Sequence, residues 1–431
     1  MKRSPSDQKN RSEAAKQKFI RMKQLLCCLG ILSSINCIAQ PSLPTGQQMP
    51  NEWIDADTHH KIIRLTNNDR SNLSFYFHNN PFVGNKMVYY STEKTTAPAA
   101  KQETYNSNAS DRQLYLLDLK TLQSQRLTNS TNPMQGEIVS TKRNEVFYQG
   151  KDSVFAVNLS TGKQRLVYVF PEDFKANITT INADGTLLAG AKSSDAEKEI
   201  FKNNPDKSSY LNLIYVAKLP RTLFTVDINS GKLDKIFTDS AWLNHIQFST
   251  TDPAPLMFCH EGPWHKVDRI WTIHVKNKDI KLIHKRTMPM EIAGHEWFSK
   301  NGKYIWFDLQ QPRGATFFVA GVDLATGTES KYELERNEWS VHYTSSKDDK
   351  LFAGDGGDPG SVAKAPDGQW IYLFTPDGKR MRSEKLVNMK NHQYRLEPNV
   401  HFSPDQKWII FRANFEGKEN IYAVEIKRSA N

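Results

Sequence analysis

One pattern recurs along almost the whole chain: a turn carrying Gly, Asn or Asp, a short β-branched and aromatic run, a polar gap, and a second run closing on another turn. The first runs read GNKMVYYS from residue 84, RNEVFYQG from 143, DGTLLAGAK from 184, DPAPLMFCHEG from 252, NGKYIWFDLQQ from 301, KDDKLFAGDGG from 347 and DQKWIIFRANFEG from 405. Among the second runs, LYLLDLKTLQSQRLT (114–128), VFAVNLSTGKQRLV (154–167), LFTVDINSGKLDKIF (223–237) and IYLFTPDGKRMRSEKL (371–386) place apolar alternation on both sides of a hairpin turn. Four strands per unit, seven units and few helical patterns predict an all-β chain folded as a seven-bladed β-propeller, whose radial repetition leaves only short edges. The last unit lacks a fourth strand after IYAVEIKR (421–428), while HKIIRLTN (60–67) is an unpaired run ahead of the first unit. Pairing these two is predicted to close the ring. Two smaller β domains are the competing arrangement, but no Pro/Gly-rich linker separates the repeats.

The N-terminus has a different character. Eight Lys or Arg residues, ending in RMK, precede the apolar LLCCLGILSSI, and small residues follow up to Ala39. This reads as a secretory signal peptide over 1–39, with Met22 an alternative start, ahead of a single domain over 40–431. Export to the periplasm of a Gram-negative cell is the implied location, with a lipoprotein anchored at Cys37 the weaker alternative. The formal charge of +10 falls to +4 without this segment, 49 basic against 45 acidic residues, so nothing points to nucleic acid as a partner. No integral membrane partner is implied either. Three of the four cysteines also lie here, leaving Cys259 alone, so the domain forms no internal disulfide and stands on its core.

The repeat tests the histidines against one another. Four positions before a recurring serine stand His245 in HIQFS, His295 in HEWFS and His342 in HYTSS, with Asn399 in NVHFS and, counted from the Gly-Asn turn, His78 in HNNPFVGNK. Equivalent positions of a propeller lie at one height around its axis, so these side chains are predicted to converge at one mouth of the channel. An inner strand begins where its antiparallel partner ends. CHEGPWH, DLQQPR, GDGGD and FRAN therefore bring further polar groups to the same face, and Arg221 enters from it too. The candidate substrate contacts are His78, Asn79, His260, His265, Arg269, Gln310 and Arg313.

Imidazole, carboxylate and amide donors without thiolates suit Mn²⁺, Zn²⁺ or Ca²⁺. The chain has no HExxH helix, no G-x-S-x-G elbow with an α/β domain, and no phosphate-binding loop. A mouth of histidine, arginine and metal suits an anionic, oxygen-rich ligand such as a uronic acid oligomer.

WLNHIQF…FCHEGPWHKVDRIW, with FYFHNNPF, GHEWFS, FAGDGG and EPNVHFSPD, resembles the oligogalacturonate lyases, in order from about Trp53 to Val424. The resemblance implies a propeller that cleaves short α-1,4-galacturonides by β-elimination with a divalent metal, typically Mn²⁺, on its axis. It implies that His245 is the base, that Arg221 assists it, and that His295 is a metal ligand. Where the family has a HPHP run this chain has EPNV, putting Glu397 and Asn399 at two ligand positions, and Tyr394 replaces a glutamine. The candidate metal set is therefore His295, Glu397, Asn399 and His342. A carboxylate in place of an imidazole favours Mn²⁺ or Ca²⁺ over Zn²⁺. The alternatives to a lyase are a non-catalytic envelope propeller resembling the TolB-like scaffolds, which has no need of histidines in register, and a glycan-binding or hydrolytic propeller, which would give no ultraviolet-absorbing unsaturated product.

Overall fold

The computed structural model describes residues 49–92 and 112–428, so the expected signal segment lies outside the described residues. The chain is all-β with few helices, and its antiparallel sheets follow one another in sequence like the blades of a propeller. The predicted runs form strands where expected. YIWFDLQ is Tyr304–Gln310, LFTVD lies within Arg221–Asp227, and WIYLFTPD pairs with Arg380–Asn388 across a two-residue turn. The run in FAGDGG is shorter than its relatives, with strand only at Phe352–Gly354. The predicted closure is present. His60–Arg64 pairs antiparallel with Asn420–Arg428, placing Ile62 opposite Val424, and Glu52–Ile54 adds outside it.

Alternation explains why the strands pack. Each sheet buries apolar residues on both faces, and six of the seven buried clusters join one sheet to the next, the other packing the two halves of the eight-stranded sheet together. Leu223 and Ile236 of one sheet meet Leu243, Phe258 and Ile273 of its neighbour. Met87, Tyr89 and Leu117 near the start meet Ile410, Ile421 and Ala423 near the end. Each fully buried side chain of this size contributes about 1.5–3 kcal/mol, so the sheet-to-sheet contacts hold the assembly with no disulfide. Cys259 is fully buried and free, and burial raises its thiol well above the ordinary value.

Two helices interrupt the pattern, and the sequence reading did not anticipate them. Helix α1, Asp195–Asn203, starts at Ser194, whose side chain accepts a hydrogen bond from the Glu197 amide, with Asp195 and Glu197 in its first turn. Helix α2, Lys207–Ala217, ends at Lys218 in the left-handed conformation. The rings of Phe201 on α1 and Tyr210 on α2 pack together and onto Trp242, the first residue of the strand that carries His245. Beta-branched and aromatic residues in YLNLIYVA masked the helical period.

A polar clasp fastens one loop. Buried His284 sits 2.7 Å from Glu329 Oε2 and 2.8 Å from Glu291 Oε1, and Glu291 also accepts from Thr287 and Gln311. Burial opposes its charged form, but the two carboxylates outweigh that and raise its pKa. The clasp therefore stabilises fully below the unfolded histidine value near 6.5 and fades as pH rises through the folded value. His284→Ala is expected to cost about 2 kcal/mol at mildly acidic pH and less in alkaline buffer. Urea unfolding of both proteins across that range checks it, and a pH-independent difference would refute the linkage.

Candidate active site

The strand Trp242–Phe248 slips register against Pro255–Glu261 between Asn244 and Gln247, and Ile292–Phe298 slips against Tyr304–Gln310 between Gly294 and Trp297. His245 and His295 occupy these bulges with φ of 47° and 50°. Asn399 has φ 52°, and Gly136, four residues before Ser140, sits in a bulge of its own sheet at φ 98°. Positive φ is costly for residues other than glycine and asparagine, and bulges re-aim a side chain out of the ladder. Repeating this device at one position turns successive side chains toward a common centre.

That centre is the segment Tyr76–Phe77–His78. The Tyr76 ring lies 5.0 Å from His78, 5.0 Å from His342 and 6.3 Å from His245. Phe77 stacks on His342 at 4.7 Å, and the rings of His295 and His342 are 4.9 Å apart. The Phe77 amide donates to Asn399 Oδ1 at 2.8 Å. His78, His245, His295, His342 and Asn399 thus gather as the register predicted.

Their electrostatics differ. Burial, reinforced by neighbouring imidazoles, pushes His78 and His295 well below the usual histidine value, so both are neutral. His342 goes the other way: burial opposes its charge, but Asp355 and Glu397 raise it. Its Nδ1 is 2.9 Å from Asp355 Oδ2, while its Nε2 is 3.2 Å from the Tyr76 hydroxyl and 3.7 Å from Glu397 Oε2.

His245 Nε2 lies 3.3 Å from Glu261 Oε2. A carboxylate there holds the proton on Nε2 and leaves Nδ1 with the free lone pair of a base. Glu261 in turn accepts from Arg269 at 2.9 Å and from Trp264 Nε1 at 3.0 Å. Burial favours its neutral form, yet Arg269 and the His245 hydrogen bond hold it well below the usual carboxylate range. Arg269 also bonds Glu296 and is 3% exposed, so it is a buried clamp between two carboxylates rather than the substrate contact expected from sequence.

Arg221 makes a two-pronged pair with Glu197 of α1, donates to the Leu243 carbonyl and lies over the Trp242 ring. Its side chain keeps 13% exposure. Other expected contacts have partners of their own. His260 stacks on Trp271 and faces Asp239, His265 lies in a turn, and Arg313 lies over Trp264. Gln310 is buried, bonded to Asp308 and the Gly314 amide. Asn79 stays at the site's edge, on Glu137. Sequence reasoning missed Tyr76 and Glu197. The Ser-Asp-x-Glu helix start was a usable signal for Glu197, whereas nothing set Tyr76 apart from core aromatics.

Among the described residues no three of His, Cys, Asp or Glu form a ready metal cage. Asn399 is committed, its Oδ1 to Phe77 and its Nδ2 to the Glu397 carbonyl, which removes it from the expected ligand set. Tyr394 donates to the Asp355 carbonyl. The remaining donors still suit a divalent ion. His295 is neutral with a buried Nδ1 that has no hydrogen-bond partner among the described residues, His342 is oriented through Nδ1 by a carboxylate, and Glu397 faces its Nε2.

The sequence profile of oligogalacturonate lyase matches residues 49–430. The chain belongs to the oligogalacturonate lyase family. It is 27% identical over 336 residues to the oligogalacturonate lyase of Dickeya dadantii, covering 73% of this chain and 83% of that one. It is 25% identical over 409 residues to the oligogalacturonide lyase of Pectobacterium atrosepticum, covering 89% and 98%. A solved oligogalacturonate lyase in complex with manganese superposes with a TM-score of 0.72 at 22% identity, over 89% of this chain and 99% of that one. One from Vibrio parahaemolyticus gives 0.72 at 23%, over 90% and 100%. These structures share the fold of this family member.

Proposed function

We propose that the protein is a seven-bladed propeller that cleaves short galacturonate oligosaccharides by metal-assisted β-elimination, giving 4,5-unsaturated products. Seven blades follow if the eight-stranded sheet counts as two, since a single parallel bridge, Glu333 to Arg380, joins its halves. The observation that carries the activity is the Glu261–His245 pair beside neutral His78 and His295, in a chain of this family.

The C5 proton of a uronate is too weakly acidic to leave unless charge developing on the adjacent carboxylate is neutralised. His245 Nδ1 removes it, while Glu261 stabilises the imidazolium that results. Arg221, held by Glu197, presents its remaining N–H edge to the carboxylate. His295, His342 and Glu397 would hold the divalent ion, Mn²⁺ or Ca²⁺ by donor type, which supplies Lewis-acid polarisation of that carboxylate. Electrons from the broken C5–H bond form the C4–C5 double bond and expel the O4 glycoside, whose oxygen takes up a proton from solvent to leave as a free hydroxyl.

Ultraviolet absorbance of the unsaturated product from di- and trigalacturonate tests the reading. Chelator-stripped protein is expected to lose most turnover and to recover it with Mn²⁺, whereas full activity after stripping would remove metal from the mechanism. Arg221→Lys should lower kcat/KM by about tenfold or more, one charged hydrogen bond's worth. An unchanged value would leave Arg221 as a structural partner of Glu197 only.

A further inference from the structure

The residue one step past the recurring Ser or Asn also repeats: Thr141, Ala183, Thr250, Lys300, Lys347 and Pro404. The preceding residues share one hairpin geometry. The amides of Asn182, Ser249, Ser299, Ser346 and Ser403 each donate to a carbonyl five or six residues on, and the side chains of Asn182, Ser299, Ser346 and Ser403 each accept from the amide five residues on. All six positions line one cavity of about 700 Å³. The cavity reaches His78 and Glu137 but none of His245, His295, His342 or Asn399, so the Tyr76–Phe77–His78 segment divides it from the histidine centre. Its far end is positive. Lys300 has no ion-pair or hydrogen-bond partner among the described residues, and Lys347 bonds only the Pro404 carbonyl through Nζ there. Glu137, the one carboxylate lining the cavity, stands at the histidine end and is bonded to the Tyr76 amide and Asn79.

We propose that this far end of the channel is a second binding site, in which Lys300 and Lys347 with the hydroxyl of Thr141 take a small oxyanion, either the carboxylate of a monosaccharide uronate or an inorganic oxyanion. An ammonium without a counter-ion in a partly dry cavity is destabilised until an anion arrives, and a hydroxyl adds one more donor to the shell around it. The Thr250 hydroxyl is spent on the Ser299 carbonyl. Burial lowering Lys300 to about 8 agrees with that environment. The site stands apart from the histidine centre and does not rest on the lyase reading.

The test is a titration of the full protein with D-galacturonate, sulfate and neutral galactose, read by calorimetry and by the lysine ε-carbon resonances, with the Lys300 signal assigned by its loss in Lys300→Met. Sulfate, galacturonate or both should saturate the site and move the Lys300 signal, and galactose should not; which anion binds identifies the source. Lys300→Met and Lys347→Met should each weaken that binding by about tenfold or more. A Lys300 signal unmoved by either anion, or undiminished binding in Lys300→Met, overturns the proposal. If Lys300→Met fails to fold, Lys300→Arg, which keeps the charge and the length, supplies the same assignment, so the resonance test on the unaltered protein still decides.

Discussion

Replacing His245 is expected to lower kcat by about 10²–10⁴-fold, the range for losing a general base, while the fold survives. Two variants separate chemistry from backbone strain. His245 sits at φ 47°, where alanine is disfavoured, so His245→Ala carries a stability cost of its own. Asparagine tolerates that conformation, and Asn399, at the equivalent position of the repeat, adopts it with φ 52°. His245→Asn should therefore unfold at nearly the wild-type denaturant concentration yet be as inactive as His245→Ala. Turnover within a few-fold of wild type in either variant would rule His245 out as the base, leaving His78, neutral and 6.4 Å away between ring centres, as the next group to examine.

The strands were legible because alternation and turn residues act locally. NSGK and STGK turn the chain whatever surrounds them, and the closing strand could be found because the last repeat was visibly short by one. The helices were less legible because α2 is held by docking onto Trp242 rather than by a periodic apolar stripe. For the site, counting back from a recurring serine placed His245, His295, His342 and Asn399 together, since a repeat fixes height without any knowledge of contacts. The count could not show that the position is a bulge, nor that Asn399 spends its amide on backbone groups. It also could not separate charges that face the ligand from charges that face each other. Arg269 and Arg221 look alike in VDRIW and LPRTLF, yet one is sealed between carboxylates and the other keeps an exposed edge.

Arg269→Met is expected to be the most destabilising single change at the site. The side chain bonds Glu261 and Glu296, whose side chains are 4% and 0% exposed, and no other arginine or lysine bonds either carboxylate among the described residues. Methionine fills much of the volume but leaves two buried anions without their cation, and breaking a buried pair this way costs about 3–5 kcal/mol. Against a typical total of about 5–15 kcal/mol, that is a large share. The sign of the linkage follows from Glu261, whose carboxyl is held well below its unfolded value. Its contribution is present above the unfolded carboxylate pKa and lost as pH falls through the folded one, so wild type should resist mild acid where Arg269→Met does not. The same loss should reach the chemistry, because a Glu261 that protonates more readily no longer fixes the proton on His245 Nε2, and the acid limb of the pH–rate profile should move to higher pH. Glu296→Gln keeps Arg269 and Glu261 paired, so it should unfold with a smaller penalty and leave that limb in place. Equal destabilisation by both variants, with no movement of the acid limb in Arg269→Met, would show that the arginine serves packing alone and that His245 is oriented by something other than this chain of charges.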